Sequence, residues 1–288
     1  MVACVTALDP MNPAEVHSAA LAAAERAGVR VRLIRGTEEI REVSELLARV
    51  WGTPVAASPG PRNVLTAIVD TGGYVAGAWA AGALVGASFG VTYLDGAEPC
   101  LRSQVTGVLH QRRGVGEALK RHQQQWALER GMRRITWTFD PLVRRNAHFN
   151  LDRLGARIVR FVPDFYGPLD DGLNGSEATD RCVVSWAMVG RVGHSTPIGS
   201  EQLLHGGHTV LLAAGGDGMP TVGDLVGTDV LVATPDDIVG LRRTNPAAAA
   251  AWRNAARAAF TTALDAGLVA DLITIDGSYR FRRDEGMQ

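Results

Sequence analysis

The run Gln111-Arg112-Arg113-Gly114-Val115-Gly116-Glu117 joins an apolar stretch, residues 101–109, to a helix-forming one that extends to Arg130. A strand that ends in a glycine loop and turns into a helix aims unpaired backbone N–H groups at one point, and the helix dipole adds partial positive charge there. Gly114 and Gly116 let a phosphate approach the main chain without a Cβ in the way, and Arg112 and Arg113 add charge. The chemistry that suits this composition is the holding of a pyrophosphate.

Three nucleotide-binding patterns compete for the run. The G-x-x-x-x-G-K-[ST] string does not occur in the chain. The dinucleotide pattern G-x-G-x-x-G is incomplete, because Gly114-Val115-Gly116 is followed by Glu117, Ala118 and Leu119. Asp140 stands after the next strand-like segment, where a ribose-binding acid could sit, and keeps that reading open. The third pattern, Q/R-x-x-G-x-G/A, is met by residues 111–116.

The elements that must position this loop follow from periodicity and punctuation. Residues 13–27 read as an alanine-rich helix closed by Gly28, and residues 29–34 alternate as a half-buried strand. A helix opening at Thr37 carries Leu47, Val50 and Trp51 as its apolar stripe and stops at Gly52. A short helix over 63–69 follows a proline-bounded loop. Strands over 73–80 and 83–93 flank Ala81-Gly82, a hairpin signal, and Asp95-Gly96 marks the next turn. The loop-bearing strand (101–109), its helix, a strand over 134–139, a helix over 144–154 and strands over 156–162 and 181–188 complete the first part. Strands and helices alternate only in part, which predicts an α/β fold with a mixed sheet. Past Val189 the composition shifts to glycine. Residues 190–227 show few helix signals, helices are expected from Thr234 and over 246–266, and a hairpin is expected around Asp276-Gly277. A boundary is placed near residue 190: an N-terminal helical extension (1–28), a core domain (29–189) and a smaller C-terminal α/β appendage (190–288) docked on the core.

The third loop pattern resembles the coenzyme A loop of the GNAT (Gcn5-related) acyl-CoA N-acyltransferases, and the element order from 29 to 188 is similar to theirs. Within that superfamily the chain resembles a bacterial group of predicted acyltransferases through "ITWTFDPL" (135–142), "RRNAHFNLDRLGA" (144–156), "DFYG" (164–167) and the C-terminal "TPDDIVGLRRTNPAAAAAWRNAAR". The resemblance implies a mixed sheet in which strands 101–109 and 134–139 splay apart. The pantetheine arm would pair with the first strand near Thr106 and Val108. The pyrophosphate would sit on Gln111, Arg112, Arg113, Gly114, Val115, Gly116 and Glu117, and Asn146 would contact the coenzyme. Acetyl-CoA or another acyl-CoA, succinyl-CoA included, would be the cosubstrate, with no metal.

The implied reaction is direct attack by a small amine or amino acid on the thioester, with a strand N–H polarising the carbonyl oxygen. Ser103 and Gln104 would line the acceptor pocket. The family's usual helix tyrosine falls on Leu151 here, so Tyr166 is expected as the acid toward the leaving thiolate, ahead of His148. Asp140 is the candidate for holding the amine or relaying its proton; as an Asp before Pro141 it also reads as a turn opener. Two rival functions are a non-catalytic CoA-binding or scaffolding protein and an O-acyltransferase acting on a natural-product hydroxyl.

Bulk composition limits the alternatives. A formal net charge of -1 argues against a general nucleic-acid or membrane-surface binder. Cys4, Cys100 and Cys182 are odd in number and far apart, which suits a reducing compartment without disulfides. The early alanine-rich stretch carries Glu15, Glu25 and Arg26 and lacks a basic leader region, and no window approaches the ~18 apolar residues of a span. A cytoplasmic protein, with a homodimer as one possible state, is expected. His205 and His208 lack a third ligand in view and read as no metal site. His122 and Trp126 share a helix face with Leu119 and Val115 and read as core or interface. Trp252, Arg253 and Arg257 form a helix face with a structural role.

Overall fold

In the computed structural model, residues 11–109, 114–167, 178–189 and 196–284 are described. The chain divides into two compact units. One holds residues 1–137, 170–175 and 187–192; the other holds 138–169, 176–186 and 193–288.

The first unit is built on strands β1 (Arg30–Leu33), β2 (Tyr74–Ala80), β3 (Ala83–Asp95), β4 (Glu98–Val108) and the start of β5 (Arg134–Phe139), in that spatial order. The first four pair antiparallel, and β5 runs parallel to β4. The β2–β3 turn has both Ala81 (φ 47°) and Gly82 (φ 81°) in the left-handed region, the geometry of a tight hairpin. Two layers of helix cover the sheet. On one face, α2 (Gly36–Trp51) and α3 (Arg62–Asp70) bury Ile40, Val43, Leu46, Leu47 and Leu65 against Val75, Ala87 and Phe89. Those α2 positions recur at three- and four-residue steps, which is why this segment is a helix and why that stripe faces inward. On the other face, Val115 and Leu119 of α4 (Val115–Leu128) pack on Ala78, Ala80 and Val85, with Ala27 and Val31 at the margin. Helix α1 (Pro13–Arg26), capped by Asn12 on the Ala14 amide, lies against α4.

The second unit begins with the end of β5 and continues through α5 (Arg144–His148), which runs on as a π-turn over Phe149–Arg153. Its strands are β6 (Arg157–Val162), β7 (Arg181–Ala187), β8 (Thr209–Ala214), β9 (Pro220–Val222), β10 (Val230–Ala233), β11 (Leu268–Ile273) and β12 (Ser278–Arg283). Their spatial order is β7-β6-β11-β12-β10-β8-β9, antiparallel except for β10–β8. Three helices accompany them: α6 (Ser200–His205), α7 (Ile238–Thr244) and α8 (Pro246–Asp265). Helix α8 buries Trp252, Ala256, Phe260 and Ala263. The Phe260 ring meets Phe161, Tyr279 and Phe281 at centroid distances of 5.6, 5.1 and 5.2 Å.

The mixed α/β architecture is as expected, while the sheet bonding does not follow the composition shift near residue 190. Strand β6 carries a rung to β11, Ile158 to Ala270, so segments on either side of the glycine-rich stretch share one sheet. That stretch is itself partly regular: α6, β8 and β9 lie in it, as short elements between glycines, which mask their periodicity.

Candidate functional site

Strand β4 meets β5 through two register positions, Leu101 with Ile135 and Arg102 with Thr136. Among the described residues the ladder then ends, while β4 runs on to Val108 and stays paired with β3 on its other edge. The β3–β4 register shifts between Phe89 and Gly90, whose partners are Val105 and Ser103, so Gln104 is the extra residue of a bulge. A bulge bends the strand and re-aims its groups. Gln104 is exposed, whereas Ser103 is 4% exposed, with its Oγ 2.7 Å from Lys120 Nζ. The Thr106 hydroxyl is engaged at 2.8 Å with Ser88 Oγ on β3, and partly buried Val108 packs beside Val115 and Leu119.

The other end of this edge is the start of α4. Gly114 is its N-cap, with φ 89° and no side-chain cap. A Cβ there would lie 3.2 Å from Ala27 Cβ, so both the positive φ and the approach of α1 require glycine. The first turn closes when the Ala118 amide donates to the Gly114 carbonyl. The amides of Val115, Gly116 and Glu117 precede that bond and have no intrahelical acceptor. Val115 is buried against Gly86, where a Cβ would be 3.0 Å from Val115 Cγ1. The Glu117 carboxylate turns toward α1, 3.6 Å from Arg26. Of the expected loop residues, Gln111, Arg112 and Arg113 lie outside the described residues.

Asp140, Asn146 and Tyr166 belong to the second unit. Both Asp140 oxygens accept from Arg253, at 2.8 and 2.9 Å, and Oδ2 also accepts from Arg242 at 2.7 Å. Burial pushes its pKa up, but the Arg253 hydrogen bonds, the Arg253 and Arg242 charges and the Leu142 amide outweigh that and hold it at about 2. Its geometry is that of a carboxylate held by the α7 and α8 arginines. The turn-opening role also holds, since Oδ1 accepts from the Leu142 amide at 3.0 Å. Tyr166 is exposed, with its hydroxyl 3.1 Å from Thr138 Oγ1 and its ring 5.4 Å from the Arg181 guanidinium. Asn146 is half-buried on α5. Leu151 is fully buried, and His148 is bound to Asp152 at 2.7 Å.

Sequence reasoning did not single out Lys120. It also missed the partner arginines of Asp140, which lie more than a hundred residues away in the chain. His122 is partly buried at the edge of the core: its Nδ1 lies 3.0 Å from the Tyr74 hydroxyl, and burial lowers its pKa to about 4 against a smaller upward pull from Glu129. Among the described residues no cluster of three metal-ligating side chains occurs, and no helix is long and apolar enough to cross a membrane.

No family model matches the chain, and no curated protein matches it. Solved structures resemble part of it. An aminoglycoside 6'-acetyltransferase type Ii is similar at 16% identity, over 56% of this chain and 99% of that one, with a TM-score of 0.44. yncA, a putative acetyltransferase from Salmonella typhimurium with its cofactor acetyl-CoA, is similar at 14% identity, over 59% and 97%, with a TM-score of 0.44. The ribosomal-protein-S18-alanine N-acetyltransferase from Escherichia coli is similar at 15% identity, over 56% and 95%, also with a TM-score of 0.44. Likenesses of this size leave the functional reading to the chain's own residues.

Proposed function

We propose that the chain is an acyl-CoA-dependent acyltransferase that moves an acetyl or succinyl group from CoA to a small amine or amino acid. The observation that carries this reading is the end of the β4–β5 ladder at Arg102–Thr136 while β4 continues to Val108. An open strand edge bonds an extended, amide-bearing ligand as it would bond another strand, and the pantetheine arm of CoA is such a ligand. From Ser103 to Val108 the strand rises roughly 17 Å, at ~3.4 Å per residue, which matches an extended arm. At the far end, the amides of Val115, Gly116 and Glu117 meet the pyrophosphate where the α4 dipole favours negative charge. The thioester then lies by the Gln104 bulge, where a re-aimed N–H stabilises the oxyanion of the attacked carbonyl. Much of the acceleration comes from holding amine and thioester together.

Calorimetric titration with acetyl-CoA and with succinyl-CoA, followed by thiol-release assays on amine, amino-acid and alcohol acceptors, tests the reading. Binding together with thiol release on amines supports it. Release on alcohols alone assigns O-acyl transfer, and binding without release for any acceptor assigns a non-catalytic CoA-binding protein. Failure of both thioesters to bind removes the reading altogether.

A further inference from the structure

Ser103 and Trp137 are the residues that follow the last β4–β5 register pair, and one amine touches both. Lys120 Nζ, on α4, is 2.7 Å from Ser103 Oγ and 3.8 Å from the centre of the Trp137 ring. Gln123 Oε1 lies 3.4 Å from the same nitrogen. The lysine is 4% exposed. A lysine that extends its stem through the interior to place an amine on a hydroxyl, at the point where a sheet opens, is an unusual use of a buried cation.

We propose that Lys120, acting through the Ser103 hydroxyl, takes the proton released by the attacking amine; it is thus a positioning and relay residue for the acyl transfer. The inference rests on the acyl-transfer reading and deepens it. The neutral acceptor amine adds to the thioester carbonyl, forming the new C–N bond and an oxyanion. The N–H proton of that adduct passes to Ser103 Oγ as the Ser103 hydroxyl proton passes to Lys120 Nζ. The oxyanion collapses, the C–S bond breaks, and the CoA thiolate leaves. Return of the Lys120 proton to the thiolate through Ser103 restores the neutral lysine and gives amide and free thiol.

The surroundings favour a lysine that starts neutral. Burial drives its pKa well below the ordinary 10.5, and the Arg102 charge on β4 acts in the same direction. Several titratable groups on neighbouring elements have partners of their own. Arg26 of α1 faces Glu117, Tyr74 of β2 faces His122, the Tyr93 hydroxyl of β3 bonds Thr136, and Arg134 of β5 pairs with Asp95. On α4 itself, Arg121 is 4.0 Å from Glu117.

The test uses the full chain with acetyl-CoA and an amine acceptor found by the thiol-release screen. For Lys120→Met, which keeps the stem and removes the proton site, kcat/KM is expected to fall about 100-fold or more, within the range of general-base effects. Calorimetric affinity for acetyl-CoA is expected to stay within threefold of wild type. The wild-type pH–rate profile should contain a rising limb that the variant lacks, and Ser103→Ala should lose the same limb. In parallel, the Lys120 Cε resonance, assigned by its loss in Lys120→Met, should be that of a neutral amine at pH 7. A chain that binds no acetyl-CoA overturns the acyl-transfer reading and the relay together. A chain that binds and turns over, yet whose Lys120→Met variant keeps the wild-type rate and limb, overturns the relay alone, as does an ammonium resonance at neutral pH.

Discussion

Replacing His122 with glutamine isolates one acid-sensitive contribution to the stability of the first unit. The imidazole lies between α4 and the sheet, with Nδ1 on the Tyr74 hydroxyl at 3.0 Å and the Tyr74 ring edge-on to Trp126 at 5.3 Å. Burial lowers its pKa from the ordinary 6.5 to about 4. A depressed folded-state value means that the unfolded chain takes the proton first. Stability from this site is therefore fully present above pH 6.5, drains as pH falls through the window down to about 4, and levels off below it. A shift of ~2.5 units at about 1.4 kcal/mol per unit gives a loss of about 3 kcal/mol between pH 7 and 4. Glutamine keeps a neutral polar group within reach of Tyr74 and carries no proton site. Urea unfolding of both proteins, followed through tryptophan fluorescence, should give a wild-type curve that falls about 3 kcal/mol further than the variant's across that range. Parallel curves would mean that the imidazole is already solvated in the folded protein, and the burial argument would fail.

Three other outcomes are expected. Asp140→Asn leaves Arg253 and Arg242 beside an uncharged amide in a buried setting, and should cost roughly 3–5 kcal/mol in chemical unfolding; a change under 1 kcal/mol would show that the ion pairs are solvated. In the wild type the same carboxylate, held at about 2 against an ordinary 3.8, contributes stability above pH 3.8 that is lost as pH falls toward 2, below the His122 window. Gly114→Ala forces a side chain into the left-handed region against Ala27, a strain of about 1–2 kcal/mol; acetyl-CoA affinity measured by calorimetry should fall with it, and unchanged affinity would place the pyrophosphate elsewhere. Lys120→Met relieves the burial of an amine whose pKa is depressed, so its melting temperature at pH 7 should rise. Wild-type stability should climb as pH rises toward 10.5 while the variant's does not, and equal slopes would contradict the buried neutral lysine.

The comparison between sequence and structure turns on range. The α2 stripe, the Ala81-Gly82 hairpin, the glycine at the head of α4 and the Asp140 turn were all legible, because each is decided by residues within a few positions of one another. The glycine-rich stretch hid α6, β8 and β9, since elements this short supply too few residues for a period. Asp140 shows the same limit at a single site. Its place before a proline was visible, whereas Arg242 and Arg253, which bond its carboxylate, arrive from helices far along the chain.

By itself the sequence determined local conformation: alternation for strands, helical spacing for α2 and α4, and a glycine at the head of α4. Only the tertiary structure decided where the β4–β5 ladder stops and that Lys120 meets Ser103 and Trp137 at that point. The physical reason is that backbone preference and periodicity act between near neighbours along the chain. The protonation and role of a side chain depend on the dielectric, charges and hydrogen-bond partners that folding gathers from distant segments.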